Sequence, residues 1–193
     1  MAISTGPIMR EVGLLSTLTL DTLNLIWIAS GLFLAGVLEA FLWKMPPFQW
    51  LNFPIQRDWF GANKRWRGLV SLPLTFLVSV ILFQQIEEIG NLNANFPVYF
   101  RDLNAIQFGL LTGFVFNLSE LPNSYIKRRL QIPPGDESSP IFYVVDHVDS
   151  TYGVLILWYF YFQFPAHFVG VGLAVTPALF MGATALRKRL GLK

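Results

Sequence analysis

Apolar residues fall in five blocks along the chain, separated by polar stretches that hold most of the charge. Taking about 20 residues as the need of a spanning helix, the blocks run from about Leu23 to Trp43, Gly68 to Gln84, Leu103 to Leu118, Tyr152 to Phe164 and His167 to Leu186. The first is interrupted only by Glu39. The second contains Pro73 and the fifth Pro177, which a membrane helix tolerates because its neighbours re-satisfy the freed carbonyl. The third is short and carries Asn104, Gln107 and Asn117, while the fourth reaches spanning length only if it begins within the preceding DHVDS. Gly109 and Gly113 give the third block a GxxxG spacing, a weak signal for close helix packing. The pattern predicts an all-α integral membrane protein with about five transmembrane helices, built as a single domain over residues 1–193.

Composition supports this through charge rather than through apolar content. Hydrophobic residues make up 53% of the chain, but charged residues only 13%, against about 25% in soluble domains. A net charge of +2 is too small to argue for nucleic acid, and the bases cluster beside the apolar blocks, where lipid headgroups would lie. Cysteine is absent, which excludes disulfides, thiolate metal sites and a cysteine nucleophile. The first residues, MAISTGPIMREVGLLSTLTLD, lack the pattern of a signal peptide and are expected to form a short lead, partly interfacial.

Short cytoplasmic loops collect Lys and Arg, so the bases set an expected topology. The first connection holds Lys44, Arg57, Lys64, Arg65 and Arg67, the second only Arg101, the third Lys127, Arg128 and Arg129, the fourth none, and the tail Arg187, Lys188, Arg189 and Lys193. This alternation places the N-terminus outside, the C-terminus in the cytoplasm, and both basic loops on one cytoplasmic face of a multi-pass protein in the cell (inner, cytoplasmic) membrane. The outer connection from Gln85 to Asp102 reads as irregular, with Glu87 and Glu88 solvated.

Two stretches carry chemistry. In the first cytoplasmic loop, Arg57, Lys64, Arg65 and Arg67 fall within eleven residues, interleaved with Trp59, Phe60 and Trp66. Bases and tryptophans also serve as interfacial anchors; the sharper alternative is a polyanion cradle in which Gly61 and Gly68 let backbone approach phosphates. The second stretch, Ser119 to Ser150, is read as a polar loop. In it Asp146 and Asp149 are three apart and would share one helix face. Hard divalent cations such as Mg2+ take oxygen ligands, usually one or two carboxylates with water and substrate phosphate. Carboxylates beside Lys127, Arg128 and Arg129 suit a metal–phosphate site, although helix N-termini also attract acids. Glu120 stands four residues before Ser124 as a helix-end charge, His147 points away from the aspartates, and His167 is uninformative. Glu39 either has a function or pairs with Lys44 or an arginine of the first loop. No P-loop, GxGxxG, HExxH or GxSxG motif occurs.

These residues resemble the CDP-archaeol synthases. FGANKRWRG at residues 60–68 is similar to that family's FGxxKTWRG, and SYIKRRL at residues 124–130 to its SFIKRRL. Gly135, Pro140, and DHVD at residues 146–149 followed by Gly153 resemble its G, P and DQxDxxxG. The elements occur in the family's order over roughly residues 50–155. Ser119-Glu120 stands where the family usually has Gly-Asp, Arg65 replaces a Thr, and His147 a Gln.

The resemblance implies an Mg2+-dependent membrane cytidylyltransferase with five transmembrane helices, two cytoplasmic catalytic loops, and CTP and a lipid phosphate in the bilayer as substrates. Asp146 and Asp149, with Glu120, would hold Mg2+. Lys64 and Arg67 would hold triphosphate, and Lys127 with Arg128 the lipid phosphate or leaving pyrophosphate. Arg65, Gly68, Ser124 and Arg129 join the expected substrate-binding set. The membrane is a partner, nucleic acid is not, and a homodimer stays open. The competing functions are a CTP-dependent polyprenol or phytol kinase and a non-catalytic scaffold or transporter subunit.

Overall fold

The computed structural model describes residues 7–92, 95–136 and 138–189. Among them are seven α-helices, five of them long: α1 (Pro7–Leu42), α4 (Trp66–Ile89), α5 (Ala105–Arg129), α6 (Pro140–Phe160) and α7 (Ala166–Arg189). Two short helices, α2 (Pro46–Trp50) and α3 (Arg57–Phe60), lie in the first connection, and a 3₁₀ turn at Phe100–Asp102 lies in the second. The only pairing of extended backbone among the described residues is a single bridge between Pro54 and Arg65.

The five long helices close into a ring. Packing runs from α1 to α4, α4 to α5, α5 to α6, α6 to α7 and α7 back to α1. Small residues set the closest approach. A Cβ on Gly109 would lie 2.5 Å from Leu77 Cα, and one on Gly113 would lie 2.6 Å from Pro73 Cα. The expected GxxxG packing is therefore real, and its partner is the backbone of α4 around Pro73. Aromatic rings fill the core at one end, where Phe108 meets Phe76, Phe100, Trp158, Phe162 and Phe164 at centroid separations of 5.1–6.1 Å. The outer face stays apolar, with Phe33 and Phe160 among the most exposed side chains, as suits a surface that meets lipid. Leu15–Leu42 and Trp66–Ile89 are long and apolar enough to cross a membrane, and Ala166–Gly182 is a shorter apolar helix.

Several element ends differ from expectation. The lead is already helical from Pro7, and its residues 1–6 lie outside the described residues, as does Lys193 of the basic tail. The expected polar loop from Ser119 to Ser150 is mostly helix: α5 continues through Pro122 to Arg129, and α6 starts at Pro140, leaving only 130–139 as connection. Lys127, Arg128 and Arg129 in the last turn of α5 complement the negative end of its dipole. Pro140 occupies a first-turn position of α6, where a missing N–H is tolerated.

Glu87 is not solvated. It is fully buried, accepting from Trp27 Nε1 at 2.7 Å, Phe100 N at 3.1 Å and Arg101 N at 2.8 Å. Asn24 similarly exchanges two hydrogen bonds with the backbone of Val98. Asp21, also buried, meets His167 Nδ1 at 2.7 Å, so His167 ties α7 to α1. Buried acids persist only where donors satisfy them, and these three α1 and α4 side chains pin the second connection and α7 at the aromatic end of the bundle.

Candidate active site

At the other end of the bundle the first connection folds back on itself. Ile55 N donates to Lys64 O, Trp66 N to Phe53 O and Arg67 N to Leu51 O at 2.9–3.2 Å. Arg65 serves this fold: its guanidinium donates to Asn52 Oδ1 at 2.7 Å and to Ala62 O at 3.1 Å. Gly61 caps α3 with φ of 88°, a conformation glycine adopts without penalty. A Cβ there would lie 3.0 Å from Asn63 Oδ1 and 3.2 Å from Pro134. Gly61 is thus closed in both by its own loop and by the α5–α6 connection. The result is a hydrogen-bonded arm that carries Lys64 to α5.

Lys64 forms an ion pair with Glu120 of α5. Glu120 Oε1 accepts from Ser150 Oγ on α6 at 2.8 Å, and Ser150 N donates to Asp149 Oδ1 at 2.7 Å. Asn123 Nδ2 donates to both Asp149 Oδ2 and Asp146 Oδ1, at 2.9 and 2.7 Å. Lys127 Nζ, almost fully buried, closes the series on Asp146 Oδ2 at 2.7 Å. Seven side chains from the first connection, α5 and α6 thereby form one connected polar series.

The series separates two adjoining cavities, both lined by Asn63, Lys64 and Glu120. The larger, about 480 Å³, is also lined by Arg65, Arg67, Gly68 and Asn117. Its wall includes Trp43, whose ring lies 4.0 Å from the Arg67 guanidinium and whose Nε1 donates to Ser71 Oγ at 3.0 Å. Ser71 in turn donates to Glu39, which also feels the charge of Arg67, an arginine of the first loop, whereas Lys44 lies over the Phe41 ring. The smaller cavity, about 240 Å³, is lined by Ser124, Lys127, Arg128, Gly135, Asp146 and Asp149. Arg128 Nε and Nη1 are buried there without an acceptor, an arrangement that calls for an anion.

Most sequence-predicted residues thus converge, with three exceptions in role. Arg65 is committed to its own loop, through the side chain of Asn52 and the carbonyl of Ala62. Arg129 is exposed and stacks over Tyr125 at 4.9 Å, apart from both cavities. Glu120 reaches Asp149 only through Ser150, and among the described residues no three His, Asp or Glu side chains gather as a ligand group. His147 does turn away, to Tyr143 O at 2.6 Å. The donor set still fits a hard divalent cation, because two carboxylates converge on one amide whose own Oδ1 is buried without a donor.

Asn123, Ser150, Trp43, Ser71 and Asn117 were missed from sequence. Their signal is spacing. Glu120, Asn123 and Lys127 stand at i, i+3 and i+7, visible as one helix face only if α5 continues past Leu118. Asp146, Asp149, Ser150 and Gly153 form the matching face of α6. A Cβ on Gly153 would lie 1.8 Å from Ser119 Oγ, so this glycine lets the two faces meet.

No solved structure matches this chain. A CDP-archaeol synthase of Archaeoglobus fulgidus is 29% identical over 137 residues, covering 69% of this chain and 73% of that protein. Residues 51–193, which contain both arms of the site, match the family described as CarS-like, CDP-archaeol synthase. The chain belongs to the CDP-archaeol synthase family.

Proposed function

We propose that the protein transfers a cytidylyl group from CTP to a lipid phosphate in the bilayer, releasing pyrophosphate. The observation that carries this is the joining of two basic, carboxylate-bearing cavities through Lys64 and Glu120. A transfer between two phosphates needs two adjoining anion sites, and family membership supports the same chemistry. The lipid phosphate oxygen attacks the α-phosphorus of CTP, a new P–O bond forms, and the bond from Pα to the bridging oxygen of pyrophosphate breaks. No general base is needed, because a lipid phosphate is already anionic near neutral pH.

The protein's task is positioning and charge neutralisation. Lys64 and Arg67 face the larger cavity and hold triphosphate. Lys127 and Arg128 face the smaller and hold the lipid phosphate or leaving pyrophosphate. Asp146 and Asp149 would hold Mg2+, which when bound neutralises charge on the attacking and leaving oxygens. Glu120 orients Lys64 and Ser150. An apolar cavity of about 190 Å³, lined by Leu25, Phe116, Thr151, Val154 and Trp158, begins one residue from Asn117 and Ser150 and offers room for hydrocarbon. The five long helices are read as spans, with the N-terminus outside and both arms of the site cytoplasmic, as the distribution of bases favours.

Purified protein given CTP, Mg2+ and a panel of isoprenoid ether and acyl ester phosphates should yield a product heavier than one lipid by CMP. A mass gain of one phosphate would mark a kinase instead, and no product from any lipid would leave the scaffold alternative. A scaffold would also show no thermal stabilisation by CTP with Mg2+, unlike an enzyme that binds them.

A further inference from the structure

Two carboxylates that converge need positive charge between them, and in this site the place is held by a neutral amide. Asn123 spends both hydrogens of Nδ2 on facing oxygens of Asp146 and Asp149. The remaining oxygens are met from elsewhere: Lys127 donates to Asp146 Oδ2 and Ser150 N to Asp149 Oδ1, each at 2.7 Å. The amide therefore bridges the two oxygens that a shared cation would bridge.

Asn123 is 7% exposed, and its Oδ1, an acceptor with two lone pairs, is buried without a donor. A buried acceptor left unpaired is destabilising unless something positive reaches it. Amide oxygen and nitrogen are nearly equal in size, so a half-turn about the Cβ–Cγ bond exchanges them without moving the backbone. Glu120, meanwhile, is engaged by Lys64 and Ser150 and does not join the pair. Resting on the cytidylyl-transfer reading for its ligand, we propose that Asn123 is a member of the cation site. Its amide hydrogens hold Asp146 and Asp149 together when the ion is absent, and its Oδ1 turns to become the third protein oxygen ligand of a hard divalent cation. A neutral third ligand suits this position, since a third carboxylate would repel the other two in the cation-free protein.

The test uses Mn2+ alone, titrated into the purified full-length chain without CTP or lipid, with free Mn2+ read by electron paramagnetic resonance and metal-free melting measured alongside. Asn123→Ala should weaken Mn2+ binding by about tenfold or more, the scale of losing a supporting group at a metal site. Asn123→Asp should restore binding to the wild-type level or tighter, because an oxygen ligand returns, yet melt below wild type when metal-free. If Asn123→Ala binds Mn2+ like wild type, the assignment is overturned. If Asn123→Asp binds no better than Asn123→Ala, the amide is only a spacer and the ligand role is overturned. Should Asn123→Ala not fold, Asn123→Asp is compared with wild type: equal or tighter Mn2+ binding supports the ligand role, and weaker binding overturns it. Wild-type chain that binds no Mn2+ contradicts the cation site itself. Wild-type chain that binds Mn2+ in this pattern yet transfers no CMP sinks the proposed reaction while leaving the Asn123 assignment standing.

Discussion

Arg128 and Arg129 are neighbours of identical type with opposite surroundings. The first buries Nε and Nη1 beside the smaller cavity without an acceptor, and the second stacks on Tyr125 at the surface. Arg128→Ala is therefore expected to lower kcat/KM by about 100-fold, the scale of removing one charge-stabilising donor. Arg129→Ala should stay within about twofold, since exposed charges contribute little; steady-state CMP transfer measures both. Equal losses in the two variants would contradict the placement. Sequence alone could not separate these arginines, because KRR gives composition without a helical phase. Lys64, Lys127, Asp146 and Asp149 were legible because charge in an apolar chain demands a partner. Asn123 and Ser150 were not, being neutral residues whose importance comes only from what stands beside them.

Helix–helix approach decides whether those side chains meet. Gly109 and Gly113 bring α5 onto the backbone of α4, and Gly153 brings α6 onto Ser119 of α5. Gly109→Ala meets Leu77 Cα, which cannot rotate away, and should cost about 1–3 kcal/mol of stability as overpacking does. Gly153→Ala should cost a similar amount and also reduce CMP transfer, because it separates Glu120 from Ser150. Ser119→Ala in the same chain relieves the Oγ clash but not the Cβ contact at 2.5 Å, so it should recover part of the loss. Thermal unfolding in one detergent checks all three, and a Gly153→Ala chain with wild-type melting would contradict the packing. The five apolar blocks foretold the five long helices, but not their ends. Polar last turns of α5 and first turns of α6 pack on each other rather than on lipid, so their hydropathy resembled a loop.

At the scale of the molecule, the buried charged and amide side chains among the described residues fall in two sets near opposite ends of the bundle. Glu87, Asn24 and Asp21 fasten the aromatic end, while the series from Lys64 to Lys127 organises the other. Glu87→Ala should lower stability by several kcal/mol, at about 1–3 kcal/mol for each buried donor left unpaired, while leaving the affinity for Mn2+ unchanged in the folded protein. Lowered affinity at unchanged stability would show that the two ends are not separate. Glu87 looked like a solvated acid because its partners, Trp27 and the backbone of Phe100 and Arg101, are distant in sequence or bear no side-chain signal. The closing of α7 onto α1 was likewise illegible, since nothing local records it. What the sequence did carry was the pairing of a basic arm with an acidic one, which the fold joins into one site. The direct test supplies CTP labelled at the α- or the γ-phosphate with a lipid phosphate and Mg2+, and counts label in the lipid phase. Label from the α position alone should enter the lipid with wild-type protein, and should be lost in both Lys64→Ala and Asp149→Asn. Label from the γ position, or full turnover by either variant, would contradict a single nucleotidyl-transfer site built from both arms.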